Sequence, residues 1–381
     1  MIQILLNCAR QEMSPELLAE TLPLLETVND WEALVRTAWR HGVAPLLHRH
    51  LEAHVPNECK DRLRQSYVRA AVRSRTHFTA IAELAREFAR QGVPLLLLKG
   101  AALGLTTYRD PALRPFADID LLIREGQIDW AKAILAACGY TLAPELISEE
   151  LSRRFHVNLP FVKAAPQPVH VELHWQLSDQ FTSDQLPTAE FWENARRISV
   201  ADTSALVLKV EDEVAYLATH LDKHGYLNQA LGNEPKWIID ELSANRLIWF
   251  TDLHEVITRN EIDWLAIDDN VAITTSLRLL HQLLGTSGIP EKFLAQQPAR
   301  FSKRLALGLA KFSSKRERRR VFFRRHILAT RKGFELRLVR LLDLWNYIFP
   351  GTAGSLEESA AALGQSLSLF FAFLRVRLRR R

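Results

Sequence analysis

The stretch Pro94–Ile123, PLLLLKGAALGLTTYRDPALRPFADIDLLI, decides how the rest of the chain is read. An apolar run ends at Lys99-Gly100, and a short helical pattern follows. A turn holding Pro111 and Pro115 comes next, then a second apolar run that carries Asp118 and Asp120. Successive side chains of a strand point to opposite faces. Asp118 and Asp120 therefore share one face, and Ile119, Leu121 and Ile123 share the other. Two carboxylates beside a strand end, opposite a glycine turn whose backbone N–H groups open a helix, can hold Mg²⁺ and a triphosphate together.

Outward from this stretch the periodicity changes on both sides. Residues 1–91 carry apolar positions at helical spacing in PELLAETLPLLE, in DWEALVRTAWRHGVAPLLHRHL and from Asn57 to Gln91, with Gly42 and Gly92 placed as stops. Trp31 and Trp39 are expected as core anchors of these helices. The pattern then predicts a strand over Val93–Leu98, a helix over Ala101–Tyr108, a strand over Asp118–Ile123 and a helix over Ile128–Cys138. Phe155–Lys163 and Val169–Gln176 read as a hairpin joined by AAPQP, and one more strand is expected within 196–210. From Val210 the helical spacing returns. The expected fold is α+β, a small mixed β-sheet core flanked by helical regions. Its expected parts are a helical region over 1–91, the core over 92–210, a helical domain over 211–300 that roofs the site, and a basic amphipathic region over 301–381.

The segment Val169–Trp175 alternates, with the valines, Leu173 and Trp175 on one face and His170, Glu172 and His174 on the other. Two histidines and a carboxylate on one strand face can take zinc or non-haem iron, which would leave Asp118 and Asp120 without a role. A half-solvated strand with its polar residues outward is the plainer alternative. His220 and His224 are four apart and share a helix face. No Glu sits between them, so core or capping histidines are the simpler reading, and contact with a base or an acceptor is the functional one. His156, ahead of the Glu172 strand, is a candidate of the same kind.

Leu98-Lys99-Gly100, Tyr108, Leu113-Arg114-Pro115, Asp118-Ile119-Asp120-Leu121-Leu122 and Glu172-Leu173-His174-Trp175 occur in that order. Together they resemble the motifs of a family of uncharacterised nucleotidyltransferases found in bacterial biosynthetic and polysaccharide clusters. That family is itself similar to the superfamily that includes DNA polymerase beta. His220, Lys223-His224 and Asp252-Leu253 match the family's later helical motifs. The resemblance runs from about residue 30 to about 290, with 93–175 its specific part. Two features depart from the superfamily: Ala101 stands where a serine usually follows the glycine, and seventeen residues separate Gly100 from Asp118. Both departures are shared by the nearer family.

The resemblance implies that Asp118, Asp120 and Glu172 hold Mg²⁺ or Mn²⁺ and act in catalysis, Glu172 on the acceptor side. It implies that Lys99, Gly100, Ala101 and Arg114 bind the nucleotide. His156, His174, His220, Lys223 and His224 are then candidate substrate contacts. The implied activity moves a nucleoside monophosphate from NTP to a hydroxyl of a small molecule, sugar, peptide or protein. Two alternatives stay open: a toxin-like nucleotidyltransferase acting on tRNA or protein, and a catalytically silent binding module of a membrane-associated biosynthetic complex.

At 381 residues, with 48% apolar content and nine Trp, the chain is long enough for a full core and several domains. Three cysteines without metal spacing fit a reducing cytoplasm. The N-terminal MIQILLNCARQEMSPE lacks signal-peptide character, and no apolar run reaches the ~20 residues of a spanning helix. The net charge of +5 hides an asymmetry, because residues 301–381 hold 19 Lys+Arg against 5 Asp+Glu. The chain ends SLSLFFAFLRVRLRRR, where Phe370, Phe371 and Phe373 precede five arginines. Such a tail is expected at an anionic bilayer, where each cation near the surface contributes ~1 kcal/mol. The expected location is therefore cytoplasmic, peripheral at the inner membrane face. Nucleic acid is the weaker expected partner, and a solvated helix face packed on the body is the plain alternative.

Overall fold

The computed structural model describes residues 1–143, 149, 152–153, 156–164, 167–178, 186–223 and 246–295. Five helices come first: α1 (Ile2–Cys8), α2 (Pro15–Leu25), α3 (Trp31–Arg40), α4 (Ala44–Leu51) and the long α5 (Asn57–Arg90). A sheet-forming region follows with β1 (Leu96–Leu97), α6 (Lys99–Thr106), β2 (Asp118–Leu122), α7 (Ile128–Ala137), β3 (Thr141–Leu142), β4 (Asn158–Lys163) and β5 (Val169–His174). After α8 (Thr188–Asn194) come β6 (Arg196–Val200) and β7 (Thr203–Val207). Helices α9 (Val210–Lys223), α10 (Leu247–Arg259), α11 (Val271–Leu284) and α12 (Glu291–Leu294) complete the described fold.

The seven strands form one mixed sheet in the order β3-β4-β5-β2-β1-β7-β6. β2 pairs in parallel with β5 and antiparallel with β1, so the strand with the two aspartates lies near the middle. Each face of the sheet is covered by a different set of helices. The lower face presents Leu97, Ile119, Leu121, Val171, Leu173 and Phe161 to α5 and α7 in one apolar core. The upper face presents Leu96, Leu98 and Leu122 to a second core that includes Leu217 and Leu221 of α9 and Phe250 and Leu253 of α10.

That upper core also contains Ile4, Leu5, Leu46 and Leu47, so the first helices and the last ones pack as one layer. Polar contacts fasten them: Leu247 donates its N–H to His41 Nδ1 at 3.3 Å, and Glu255 accepts from Gln11 N and Nε2 at 2.7 and 2.8 Å. α5 serves both layers, with Cys59 and Leu63 in the upper core and Ile81, Leu84 and Phe88 in the lower. It stops at Gly92, whose φ of 69° is a backbone region that glycine enters readily.

Several expectations are corrected in detail. The first strand is confined to Leu96–Leu97, because Pro94 has no N–H to give a ladder, though Leu95 O and Leu98 N still bond to Leu206 N and Asp120 O. α6 begins at Lys99, two residues earlier than expected. Residues 196–207 form a two-stranded hairpin rather than a single strand, turning at Ala201-Asp202, where Ala201 adopts φ 51°. Trp39 is 64% exposed near the end of α3, which buries Leu34, Val35, Thr37 and Ala38, whereas Trp31 packs on the upper core. The mixed α/β architecture with flanking helices is as expected. Among the described residues no helix is long and apolar enough to cross a membrane.

Candidate active site

Parallel pairing of β2 with β5 sets Asp118 opposite His170, Asp120 opposite Glu172 and Leu122 opposite His174. Cross-strand partners point to the same face, so residues 52 apart in sequence become neighbours on the upper face. Asp120 is buried, and its Oδ1 accepts a hydrogen bond from Lys99 Nζ at 2.7 Å while His174 Nε2 lies 3.0 Å away. Glu172 is half-buried; its Oε2 accepts from Asn158 Nδ2 at 2.9 Å and lies 3.3 Å from His174 Nε2. Ligand atoms of Asp120, Glu172 and His174 all fall within 4.8 Å of one another, a donor set that fits a divalent cation.

Asp118 shares the face but stands outside this trio. Burial, reinforced by the charges of Asp120 and Glu172, pushes its carboxyl up to about 6. Asp120 behaves oppositely: burial works against its charge, but the Lys99 ammonium and the His174 hydrogen bond outweigh it and hold the carboxyl below its ordinary range. Lys99 and His174 are both shifted upward despite burial, Lys99 mainly by the Asp120 charge and His174 by its bonds to Asp120 and Glu172. Pairing thus favours the charged forms of Lys99, His174 and Asp120 against the burial that opposes them.

Lys99 follows β1 at the entry to α6 with φ 46°, a conformation that side-chain-bearing residues seldom adopt. That turn aims its ammonium back across the sheet to Asp120, and the Tyr216 hydroxyl of α9 bonds it from above. Gly100 has no room for a side chain: a Cβ there would meet Arg114 Nη1 at 2.4 Å and Phe116 Cβ at 2.7 Å. Ala101 lies fully buried in the lower apolar core, which accounts for a methyl where the superfamily carries a hydroxyl.

Arg114, expected to bind the nucleotide, is buried against α10. Its Nε and Nη2 bond Asp252 of α10 at 3.1 and 2.6 Å, and Tyr108 donates its hydroxyl to the same carboxylate at 2.9 Å. Three motif residues, Tyr108, Arg114 and Asp252, thus form one buried knot between the α6–β2 connection and the helical layer.

Of the remaining candidates, His220 comes near the cluster. His220 of α9 is buried with its ring 4.9 Å from that of Trp249, in an edge-on arrangement. With Lys99, His174, Tyr216 and Thr219 it lines a small, partly open cleft between the sheet and α9. His156 is half-buried before β4. Lys223 is the last residue of α9, and His224 lies outside the described residues, as does the basic stretch 301–381. Asn158 and Tyr216 were not anticipated. Tyr216 precedes His220 by four in the helix, so the spacing that marked His220 also marked it.

A family described as uncharacterised nucleotidyltransferase has a model that matches residues 27–288. No curated protein matches the chain.

Proposed function

The chain belongs to the family of uncharacterised nucleotidyltransferases, and from that premise we propose an Mg²⁺- or Mn²⁺-dependent transfer of a nucleoside monophosphate from NTP to an acceptor hydroxyl. The observation that carries this reading is the meeting of Asp120, Glu172 and His174 within 4.8 Å on one sheet face, with Asp118 on the same face. Divalent ions bound there would supply positive charge to the attacking and leaving oxygens of an in-line displacement.

The chain's own groups take the following roles in this proposal. Asp118, Asp120 and Glu172 hold the cations and orient the reacting oxygens. Gly100, by lacking a side chain, lets Arg114 and Phe116 close on the backbone at the start of α6, which sets the Arg114 guanidinium beside the turn proposed to face the triphosphate. Arg114 uses Nε and Nη2 on Asp252 and brings Nη1 over Gly100, so it meets phosphate from a fixed position. Lys99 steadies Asp120 and adds a second cation near the phosphates. The cleft beside His174, Tyr216 and His220 faces the acceptor, and Glu172, 3.3 Å from His174 Nε2, favours loss of the acceptor's hydroxyl proton. In sequence, the cationic 301–381 stretch supports a peripheral hold on an anionic membrane surface.

Incubating the full chain with each α-labelled NTP, Mg²⁺ or Mn²⁺ and cell extract tests the proposal. Label should move to a metabolite, peptide, protein or tRNA, and the class of labelled acceptor separates the biosynthetic from the toxin-like reading. Absence of label with every NTP, together with no NTP binding by calorimetry, would leave a silent binding module.

A further inference from the structure

We propose that His174 is itself a metal ligand, and that Asp120, Glu172 and His174 form a cation site that prefers a first-row transition ion such as Mn²⁺ over Mg²⁺. This deepens the nucleotidyltransferase reading and rests on it for its purpose, but not for its test.

The spacing is the first argument. Donors around an ion at about 2.0–2.2 Å stand roughly 3.0–3.5 Å apart along the edges of its coordination shell. His174 Nε2 lies 3.0 Å from Asp120 Oδ1 and 3.3 Å from Glu172 Oε2, so the imidazole already stands at an edge distance from both carboxylates. Asp118, the other acid on the face, contributes no atom to this group.

Support from the surroundings is the second argument. Asn158 Nδ2 fixes the Glu172 oxygen that faces His174, and Lys99 Nζ fixes the Asp120 oxygen that faces it. Ligands held by neighbours in this way keep their orientation when the ion is absent, and such supports commonly change metal affinity by ~10–100-fold. His174 is buried, so its ring has little freedom to leave the cluster.

Donor chemistry is the third argument. Mg²⁺ takes oxygen ligands in near-octahedral order and rarely accepts imidazole. Carboxylate suits Mn²⁺ as it suits Mg²⁺, and mixed imidazole and carboxylate sets are the ligands of first-row transition ions such as Fe²⁺ rather than of Mg²⁺. Two oxygens and one imidazole nitrogen therefore shift the preference away from Mg²⁺.

The test uses the wild-type full chain loaded with Mn²⁺ alone, examined by pulsed electron paramagnetic resonance. Coupling of the bound Mn²⁺ to an imidazole ¹⁴N is expected, and a bound Mn²⁺ without that coupling overturns the proposal. Calorimetry with MnCl₂ and MgCl₂ should show Mn²⁺ bound at least about tenfold more tightly. His174→Gln should remove the ¹⁴N coupling and bring the two affinities together, whereas Asp118→Asn should keep the coupling. Retained selectivity in folded His174→Gln also contradicts the site. Label transfer without nitrogen coupling would sink this inference and leave the enzyme reading standing; nitrogen coupling without transfer would do the reverse.

Discussion

The two faces of the central sheet are both covered by helices, and they are built from opposite chemistry. Beneath the sheet, Ile119, Leu121, Val171 and Leu173 meet α5 and α7 with hydrocarbon alone. Above it, on the alternate positions of the same two strands, stand Asp118, Asp120, Glu172 and His174. One backbone thus carries a dry core and a charged site, one residue out of phase. Burial of an ionised group is tolerated only where opposite charge or hydrogen bonds meet it. On the upper face Lys99 and His174 meet Asp120, and Arg114 meets Asp252. The lower face holds the fold by area removed from water, and the upper face holds charged groups in place by pairing.

The sharpest way to break this comparison is Asp120→Asn. It removes the charge that Lys99 and His174 share, so label transfer should fall at least about 10³-fold. Stability should also fall, by roughly 3 kcal/mol in urea titration, because a buried ammonium is left without its anion. Wild-type turnover in this variant would remove the cluster from the chemistry. Asp252→Ala comes next. It orphans Arg114 and Tyr108 at the knot between sheet and roof, and should lower stability by about 3–5 kcal/mol. A loss below about 1 kcal/mol would mean that the knot does not fasten the layers.

A smaller effect comes from Glu213 of α9, whose carboxyl burial pushes up from 4.5 to about 7. Between those values the unfolded chain ionises this group while the folded chain keeps it neutral. Stability from Glu213 is therefore complete at low pH and lost as pH rises from 4.5 to about 7. Glu213→Gln should remove that slope and raise stability at pH 8 by on the order of 3 kcal/mol, read by chemical denaturation at several pH values. An unchanged slope would show that Glu213 is not held neutral.

Much of the lower face was legible in the sequence, because alternation within 118–123 and 169–175 states which residues are apolar and which are not. What alternation omits is pairing. Nothing in the spacing says that β2 and β5 are parallel neighbours in the register Asp120–Glu172, since that depends on a crossover through α7, β3 and β4. For the same reason the sequence left His174 between a substrate contact and a metal ligand, without showing that its ring reaches both Asp120 and Glu172. Nor does the spacing show that Arg114, read as a nucleotide-binding cation, is held by Asp252, 138 residues away on another layer. The hairpin at 196–207 was hidden because its turn uses Ala201-Asp202 and carries no glycine.

Glu172 and Leu173 are consecutive on β5 and point to opposite faces. Measuring label transfer and unfolding free energy for Glu172→Gln beside Leu173→Ala tests the account most directly. Glu172→Gln should lose transfer by at least about 10²-fold with stability within about 1 kcal/mol of wild type. Leu173→Ala should lose about 2–5 kcal/mol of stability yet keep its turnover per folded molecule. Full turnover in Glu172→Gln, or loss of chemistry in folded Leu173→Ala, would contradict the division of the sheet into a structural face and a catalytic one.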